Sequence, residues 1–261
     1  MNILPSNLKI TNGEIRYLGK PINYRDKNLY GKEISMIFQE PTKALHPLKT
    51  VGNQISEVLK LHSDIRGAKL KKKVIEALEM VGIDEPETRY KQYPHQLSGG
   101  LCQRVIIAIA TIMKPSLIIA DEPTTSLDVT VQKKILDLLL ELNKKMGTSI
   151  IFISHDLAVL SHICNRVYVM YCGEIVEEGT VPGIFASPYN PYNKALISSI
   201  PYMYGAVTKL KSIKGMVPSP RNYSKYCRFY DRCDERCEAC KNTKPELIDV
   251  EGRGVRCVKF E

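Results

Sequence analysis

The sequence predicts an α/β protein with a small cysteine-rich extension at its C-terminal end. Three observations carry this reading. Short apolar runs at residues 34–38 (ISMIF), 117–120 (LIIA) and 149–153 (SIIFI) have the length and composition of buried strands, and polar residues follow each of them: Gln39, Asp121 with Glu122, and His155. Amphipathic segments of helical period separate the runs. From about residue 185 prolines and tyrosines accumulate, and five of the eight cysteines fall between 227 and 257.

The 261 residues suffice for one large domain plus an appendix, and 44% hydrophobic with 25% charged residues is ordinary for a globular protein. No apolar run approaches the roughly 18 residues that span a bilayer. The start, MNILPSNLKI, has no charged segment leading into a long apolar one, so no signal peptide is expected. The expected location is the cytoplasm, with membrane contact through a partner. The net charge of +9 reads as a wet lysine-rich surface. Its densest run, Lys69, Lys71, Lys72 and Lys73, lies on a helix whose other positions are apolar, so nucleic-acid binding is not expected. Cysteines in a chain without a secretory signal do not suggest disulfides. Cys102, Cys164 and Cys172 sit in apolar surroundings and read as packing residues, whereas the clustered Cys227, Cys233, Cys237, Cys240 and Cys257 read as metal or cluster ligands.

Taken in order, residues 13–18 (GEIRYL) predict a strand ending in a Gly-Lys-Pro turn, and 34–38 a buried strand with Gln39 at its end. In parallel α/β sheets that end faces the ligand crevice. Residues 50–61 and 68–81 predict helices, the second stopped by Gly82, and Pro86 with the 93–95 segment (YPH) breaks the chain. These helices form an insertion between two strands of the core, about residues 50–113. Within it, 97–113 begins LSGG. Ser98 can cap a helix, Gly99 and Gly100 allow close approach to the backbone, and the helix N-terminus favours an anion. Val105, Ile106, Ile109, Ala110 and Met113 form its apolar face.

The strand at 117–120 leads into Asp121-Glu122. Adjacent carboxylates at a strand end are costly unless a positive charge balances them, and a Mg²⁺ ion held through Asp121 with a water oriented by Glu122 would do so. Asp128 caps the next helix, 129–146, which Gly147 ends. The strand at 149–153 reads as buried, and His155 lies at the same kind of strand end as Gln39 and Glu122. Residues 166–171 and 174–176 predict a hairpin around Cys172-Gly173.

Together these residues resemble the ATP-binding subunits of ABC transporters. The matches are a Q-loop at Gln39, the signature LSGGLCQR at 97–104, a strand ending in DEP at 121–123, the D-loop SLD at 126–128 and a switch histidine at His155, and they cover about residues 13–180. The stretches ISMIFQEPTKALHPLKTVGNQI, YPHQLSGG and ADEPTTSLDVTVQ resemble the peptide and nickel importer branch. SPYNPYNKALISSIP at 187–201 is similar to the C-terminal extension of oligopeptide and dipeptide transporter ATPases, with Asn190 where the family often has His.

The resemblance implies an incomplete P-loop NTPase core at 1–184 and an extension at 185–261. It implies ATP and Mg²⁺ as ligands, with Glu122 orienting the attacking water, Asp121 and Gln39 serving Mg²⁺ and His155 contacting the γ-phosphate. Ser98, Gly99, Gly100, Gln103 and Asp128 would also bind nucleotide, with the LSGG stretch acting across a dimer. It also implies a second ATPase subunit, two membrane permeases and an external substrate-binding protein, at the cytoplasmic face of the membrane. Peptides are the first expected substrate and nickel the second. Cys227, Cys233, Cys240 and Cys257 match the family's spacing for a [4Fe-4S] cluster, with structural zinc the chemical alternative and Cys237 extra to the pattern.

One departure is large. No G-x-x-x-x-G-K-[ST] occurs in the 261 residues; the nearest stretch, 13–21, follows Gly19-Lys20 with proline. A P-loop strand, its loop and its helix are therefore expected to be missing, through a gene-start error, a frameshift or a split gene. Apolar sheet edges should be left exposed, and these residues alone should bind ATP weakly or not at all. Two other functions are compatible with these residues. One is a non-catalytic subunit that lends its LSGG to a full-length ATPase. The other is a soluble ABC protein acting on nucleic acid with zinc-bound cysteines.

Overall fold

The computed structural model describes residues 9–24, 26, 28–125, 127–200 and 212–261, so Ser126 of the SLD stretch and Pro201 at the end of the extension motif lie outside the described residues. The chain divides into two compact units, Met1–His155 and Asp156–Glu261. The change of character seen near residue 185 thus falls inside the second unit.

The first unit opens with a small antiparallel hairpin, β1 (Arg16–Tyr17) against β2 (Lys20–Pro21). Here the structure corrects the expected Gly-Lys-Pro turn. Leu18 and Gly19 both take positive φ, 48° and 77°, as a two-residue hairpin turn requires, and Lys20-Pro21 is the returning strand. The central sheet follows from β3 (Ile34–Ile37), β4 (Leu117–Asp121) and β5 (Ser149–Ile153), parallel and in the order β3-β4-β5. The register pairs Ile37 with Ala120 and Asp121 with Ile153, which brings the three C-terminal strand ends side by side.

Between β3 and β4 the chain makes α1 (Pro41–Ala44), α2 (Val51–His62), α3 (Gly67–Met80), α4 (Pro86–Lys91) and α5 (Gly99–Thr111). Pro86, expected to break the chain, instead starts α4. At the first helical position its missing N–H is no loss and its fixed φ suits the helix. α5 is buried on most sides rather than along one face, with Cys102, Val105, Ile106, Ile107, Ala108 and Ala110 all enclosed. The reason is its central place, since it packs on α1, α2, α3 and β3. α6 (Val129–Met146) has the predicted bounds, buries Ile135, Leu136, Leu138, Leu139 and Leu142, and ends on Gly147 at φ 65°.

A second correction concerns β5. It was expected to be buried, yet Ile151 is 50% and Ile153 45% exposed. β5 is an edge strand among the described residues, and an apolar run alone does not tell whether both faces are covered. The exposure agrees with the expected apolar edge.

In the second unit α7 (Leu157–Ile163) precedes β6 (Arg166–Tyr171) and β7 (Glu174–Thr180), the predicted hairpin, with Cys172 and Gly173 at positive φ in its turn. α8 (Val181–Ala186), α9 (Pro191–Ser198) and α10 (Ala239–Asn242) follow, then β8 (Ile248–Val250) and β9 (Arg253–Val255). The sheet is antiparallel in the order β6-β7-β9-β8, so the C-terminal strands extend the hairpin.

Glu177 of β7 is fully buried and locks α9 to this sheet. Its carboxylate accepts from the backbone N–H of Tyr189 at 2.8 Å and of Asn190 at 3.0 Å, and from Asn193 Nδ2 at 2.8 Å. Asn190 in turn caps α9 and donates from Nδ2 to the carbonyls of Val176 and Arg256. Removing the carboxylate strands these buried donors, so Glu177→Ala should cost about 3 kcal/mol of unfolding free energy, read from the urea midpoint. An unchanged midpoint would show that the network adds no net stability.

Candidate functional site

The carboxyl ends of the three parallel strands converge on one side chain, Glu122. Gln39, two residues past β3, donates from Nε2 to Glu122 Oε2 at 2.8 Å. His155, two residues past β5, lies with Nδ1 3.0 Å from Oε1. Thr125 Oγ1 donates to Oε2 at 2.9 Å. Glu122 itself follows β4, and its backbone N–H bonds to the Ile153 carbonyl at 2.9 Å, so the sheet anchors it. Its φ is 44°, a left-handed conformation that costs a non-glycine residue about 1–3 kcal/mol and is retained where the surroundings over-determine it. That strain re-aims the carboxylate from the strand direction toward Gln39 and His155.

The hydrogen bond from His155, followed by that from Thr125, holds the Glu122 carboxyl below the usual carboxylate range, against an opposing push from partial burial. An ionised carboxylate only accepts, so the proton between the two groups sits on His155 Nδ1. A carboxyl depressed in the folded state contributes stability that is fully present above its unfolded pKa and is lost as pH falls through its lower folded value. In a carbon-detected NMR titration Glu122 should titrate below an ordinary glutamate, and His155→Ala should raise its midpoint. A midpoint unmoved by His155→Ala would contradict the assignment.

Asp121 ends β4 half-buried beside this cluster in sequence. The second group of expected residues lies at two helix starts. Ser98 caps α5, accepting from the Leu101 N–H at 3.4 Å, and Asp128 caps α6, accepting from the Val131 N–H at 2.9 Å. Gly99 and Gly100 form the first turn of α5. A Cβ on Gly100 would meet Val131 Cγ1 at 2.9 Å, so a packing demand between α5 and α6 adds to the expected close approach by ligand. Gln103 is 1% exposed and its Nε2 has no hydrogen-bond partner among the described residues, so its side chain lies inside the unit rather than on a ligand-facing surface. Thr125 was missed. Its signal was available, since it stands three residues after Glu122, where a turn brings it back; its N–H bonds to the Glu122 carbonyl at 3.1 Å.

In the second unit Cys227, Cys233, Cys240 and Cys257 line one small recess of about 30 Å³, together with Arg228, Arg236, Arg256 and Lys259. Arg256 bridges from Nε to the Ile175 carbonyl and from Nη1 to that of Pro245, and Arg228 pairs with Glu174 at 3.3 Å, which ties the recess to β7. Burial pushes the Cys227, Cys240 and Cys257 thiols up and Cys233 up to about 11. Metal binding here would therefore have to displace protons. The donor chemistry and the cationic wall suit a thiolate-bound metal, but among the described residues no three His, Cys, Asp or Glu side chains converge as ligands.

Comparison with known proteins follows the same division. An "ABC transporter" model matches residues 1–125, and an "Oligopeptide/dipeptide transporter, C-terminal region" model matches 176–240. The oligopeptide transport ATP-binding protein AppD of Bacillus subtilis is 45% identical over 258 residues, 97% of this chain and 79% of its own length. The chain belongs to the ATP-binding subunits of oligopeptide and dipeptide ABC transporters. Dipeptide transport ATP-binding protein DppD of Haemophilus influenzae is 46% identical over 231 residues, 88% of this chain and 70% of its own. Among solved structures, cbiO1 of Clostridium perfringens aligns with a TM-score of 0.60 at 32% identity, covering 69% of this transporter subunit and 71% of that chain. The post-hydrolysis dimer of the cassette MJ0796, bound to ADP and Pi, aligns at 0.58 with 30% identity, covering 66% and 74%. The three-strand sheet and its helical insertion are thus part of an ABC cassette core. Among the described residues no helix is long and apolar enough to cross a membrane.

Proposed function

We propose that this chain energises the import of oligopeptides or dipeptides at the cytoplasmic face of a membrane, through ATP binding and hydrolysis at an ATPase dimer coupled to two permeases. The observation that carries the reading is the meeting of three adjacent strand ends on the Glu122 carboxylate, with Gln39, Thr125 and His155 as its donors. Held ionised, Glu122 is the group that accepts from and orients the attacking water. Gln39 uses its amide N–H on Glu122 and keeps its carbonyl oxygen for Mg²⁺, with Asp121 as the second oxygen donor. His155, with Nδ1 turned to Glu122, presents Nε2 toward the γ-phosphate. An external binding protein selects the peptide, and nickel is the second candidate cargo.

The phosphates themselves need a G-x-x-x-x-G-K-[ST] loop, which these 261 residues do not contain. A further strand, loop and helix would supply it. The half-exposed Ile151 and Ile153 on the β5 edge support that reading, because an apolar edge of this kind is normally paired or covered. The same lack of a loop supports a second reading, in which the chain lends Ser98, Gly99 and Gly100 to nucleotide held by a full-length partner ATPase.

Cys227, Cys233, Cys240 and Cys257 are proposed to hold a [4Fe-4S] cluster, with zinc as the alternative. Three of the four lie within the matched C-terminal-region model, which ends at Cys240. The bound group would supply structural cross-linking of the extension, and Arg228, Arg236, Arg256 and Lys259 would offset its negative thiolates.

Co-expression with a full-length peptide-family ATPase and its permeases tests the function. The chain should co-purify in the assembly, and ATP-dependent peptide uptake into vesicles should require it. Uptake that is unchanged when the chain is omitted would overturn the proposal.

A further inference from the structure

Cys237 is the one clustered cysteine that the four-ligand reading leaves without a task. It is exposed, and its Sγ lies 3.3 Å from Sγ of Cys240, which is only 7% exposed. The backbone holds the two together, because the Cys240 N–H bonds to the Cys237 carbonyl at 3.1 Å across the turn that enters α10. A thiol open to solvent thus stands in contact with a buried thiol on the wall of the cysteine recess. That is the geometry of an entry thiol and a resolving thiol. We propose that Cys237 and Cys240 are a dithiol–disulfide pair, oxidised by small-molecule disulfides, and that closing it withdraws Cys240 from the four-cysteine set.

The step balances without another reactant. Cys237, as its thiolate, attacks one sulfur of the disulfide RSSR; the S–S bond breaks and one RS⁻ leaves. A mixed disulfide remains on Cys237. Cys240 gives up its proton and attacks Cys237 Sγ, and the second RS⁻ leaves. Two protein thiols are oxidised to one disulfide and RSSR is reduced to two RSH, with both protons ending on the released thiols. Solvent access selects Cys237 for the first attack, since Cys240 is shielded, and proximity selects Cys240 for the second. A disulfide sulfur is no longer a thiolate donor, so the oxidised recess retains Cys227, Cys233 and Cys257 alone. The pairing does not depend on the metal assignment; its effect on metal loading does.

The test uses the full chain, reduced and metal-free, treated with glutathione disulfide, alkylated with iodoacetamide in denaturant and digested after Lys and Arg. Residues 237–241 then form a single peptide holding both cysteines. The expected result is that this peptide becomes lighter by two hydrogens and loses both alkyl labels, while Cys227, Cys233 and Cys257 stay labelled. In Cys237→Ser the label on Cys240 should persist. Glutathione retained on Cys237 with Cys240 alkylated, or Cys240 joined to Cys227, Cys233 or Cys257, would overturn the pairing. Zinc uptake, measured on the same samples, should be lost in the oxidised chain and kept by Cys237→Ser under the same oxidant. Equal uptake by oxidised and reduced chains would overturn the consequence for loading. A reduced chain that takes up no zinc or iron places that failure in the metal reading, with the peptide map still deciding the disulfide.

Discussion

In an assembly with a full-length partner ATPase, Ser98→Arg should lower ATP turnover by about 10²- to 10³-fold, the range seen when a group poised at a developing charge is removed from a closed site. Ser98 caps the start of α5, whose free N–H groups and dipole favour an anion, and its hydroxyl takes the Leu101 N–H. Arginine at this position removes the cap and places a long side chain at the helix start that the proposed function sets against a partner's nucleotide. The cap alone is worth about 1 kcal/mol, so Ser98→Ala separates the two effects. It should lower stability by that amount and leave much more of the turnover. Equal turnover in Ser98→Arg and wild-type assemblies would exclude any contribution of this helix start to a partner's site.

Glu122→Gln should act on the other half-site and under other conditions. When a strand, loop and helix bearing G-x-x-x-x-G-K-[ST] are joined ahead of residue 1, the substitution should reduce turnover by about 10²- to 10⁴-fold, the usual contribution of a positioned general base. ATP binding should persist, because the amide keeps the shape of the carboxylate and only its basicity is lost. Without such a segment, and beside a full-length partner, Glu122→Gln should change little, since no phosphate is gripped on this side. Two variants therefore assign the two half-sites to different nucleotides. A large Glu122→Gln effect in the unextended chain would contradict the assignment.

Much of this site was legible in the sequence because strand ends are punctuated. Gln39, Asp121-Glu122 and His155 each follow an apolar run, and parallel strands bring such ends together. The helix starts at Ser98 and Asp128 were legible for a local reason, since a capping side chain acts within its own turn. What escaped depends on turn shape or on tertiary contact. Thr125 joins the cluster through a turn whose shape follows from the left-handed Glu122. Glu177, one of two adjacent glutamates, carries no local sign of its role as the buried tie between β7 and α9. The exposure of β5 was not contained in its own residues, because coverage of a strand face is decided by what packs over it. Cysteine clustering read as metal or cluster ligation and did not indicate the Cys237–Cys240 contact, which the turn into α10 creates.

The most direct measurement is ATP hydrolysis by the purified 261-residue chain alone, followed by the same assay after addition of a full-length peptide-family ATPase whose own signature serine is replaced. No turnover is expected from the chain alone, and turnover that Ser98→Arg abolishes is expected on mixing, since in the proposed function the partner's phosphate loop and this chain's helix start form one site. ATP turnover by the chain alone, abolished by Glu122→Gln, would contradict it.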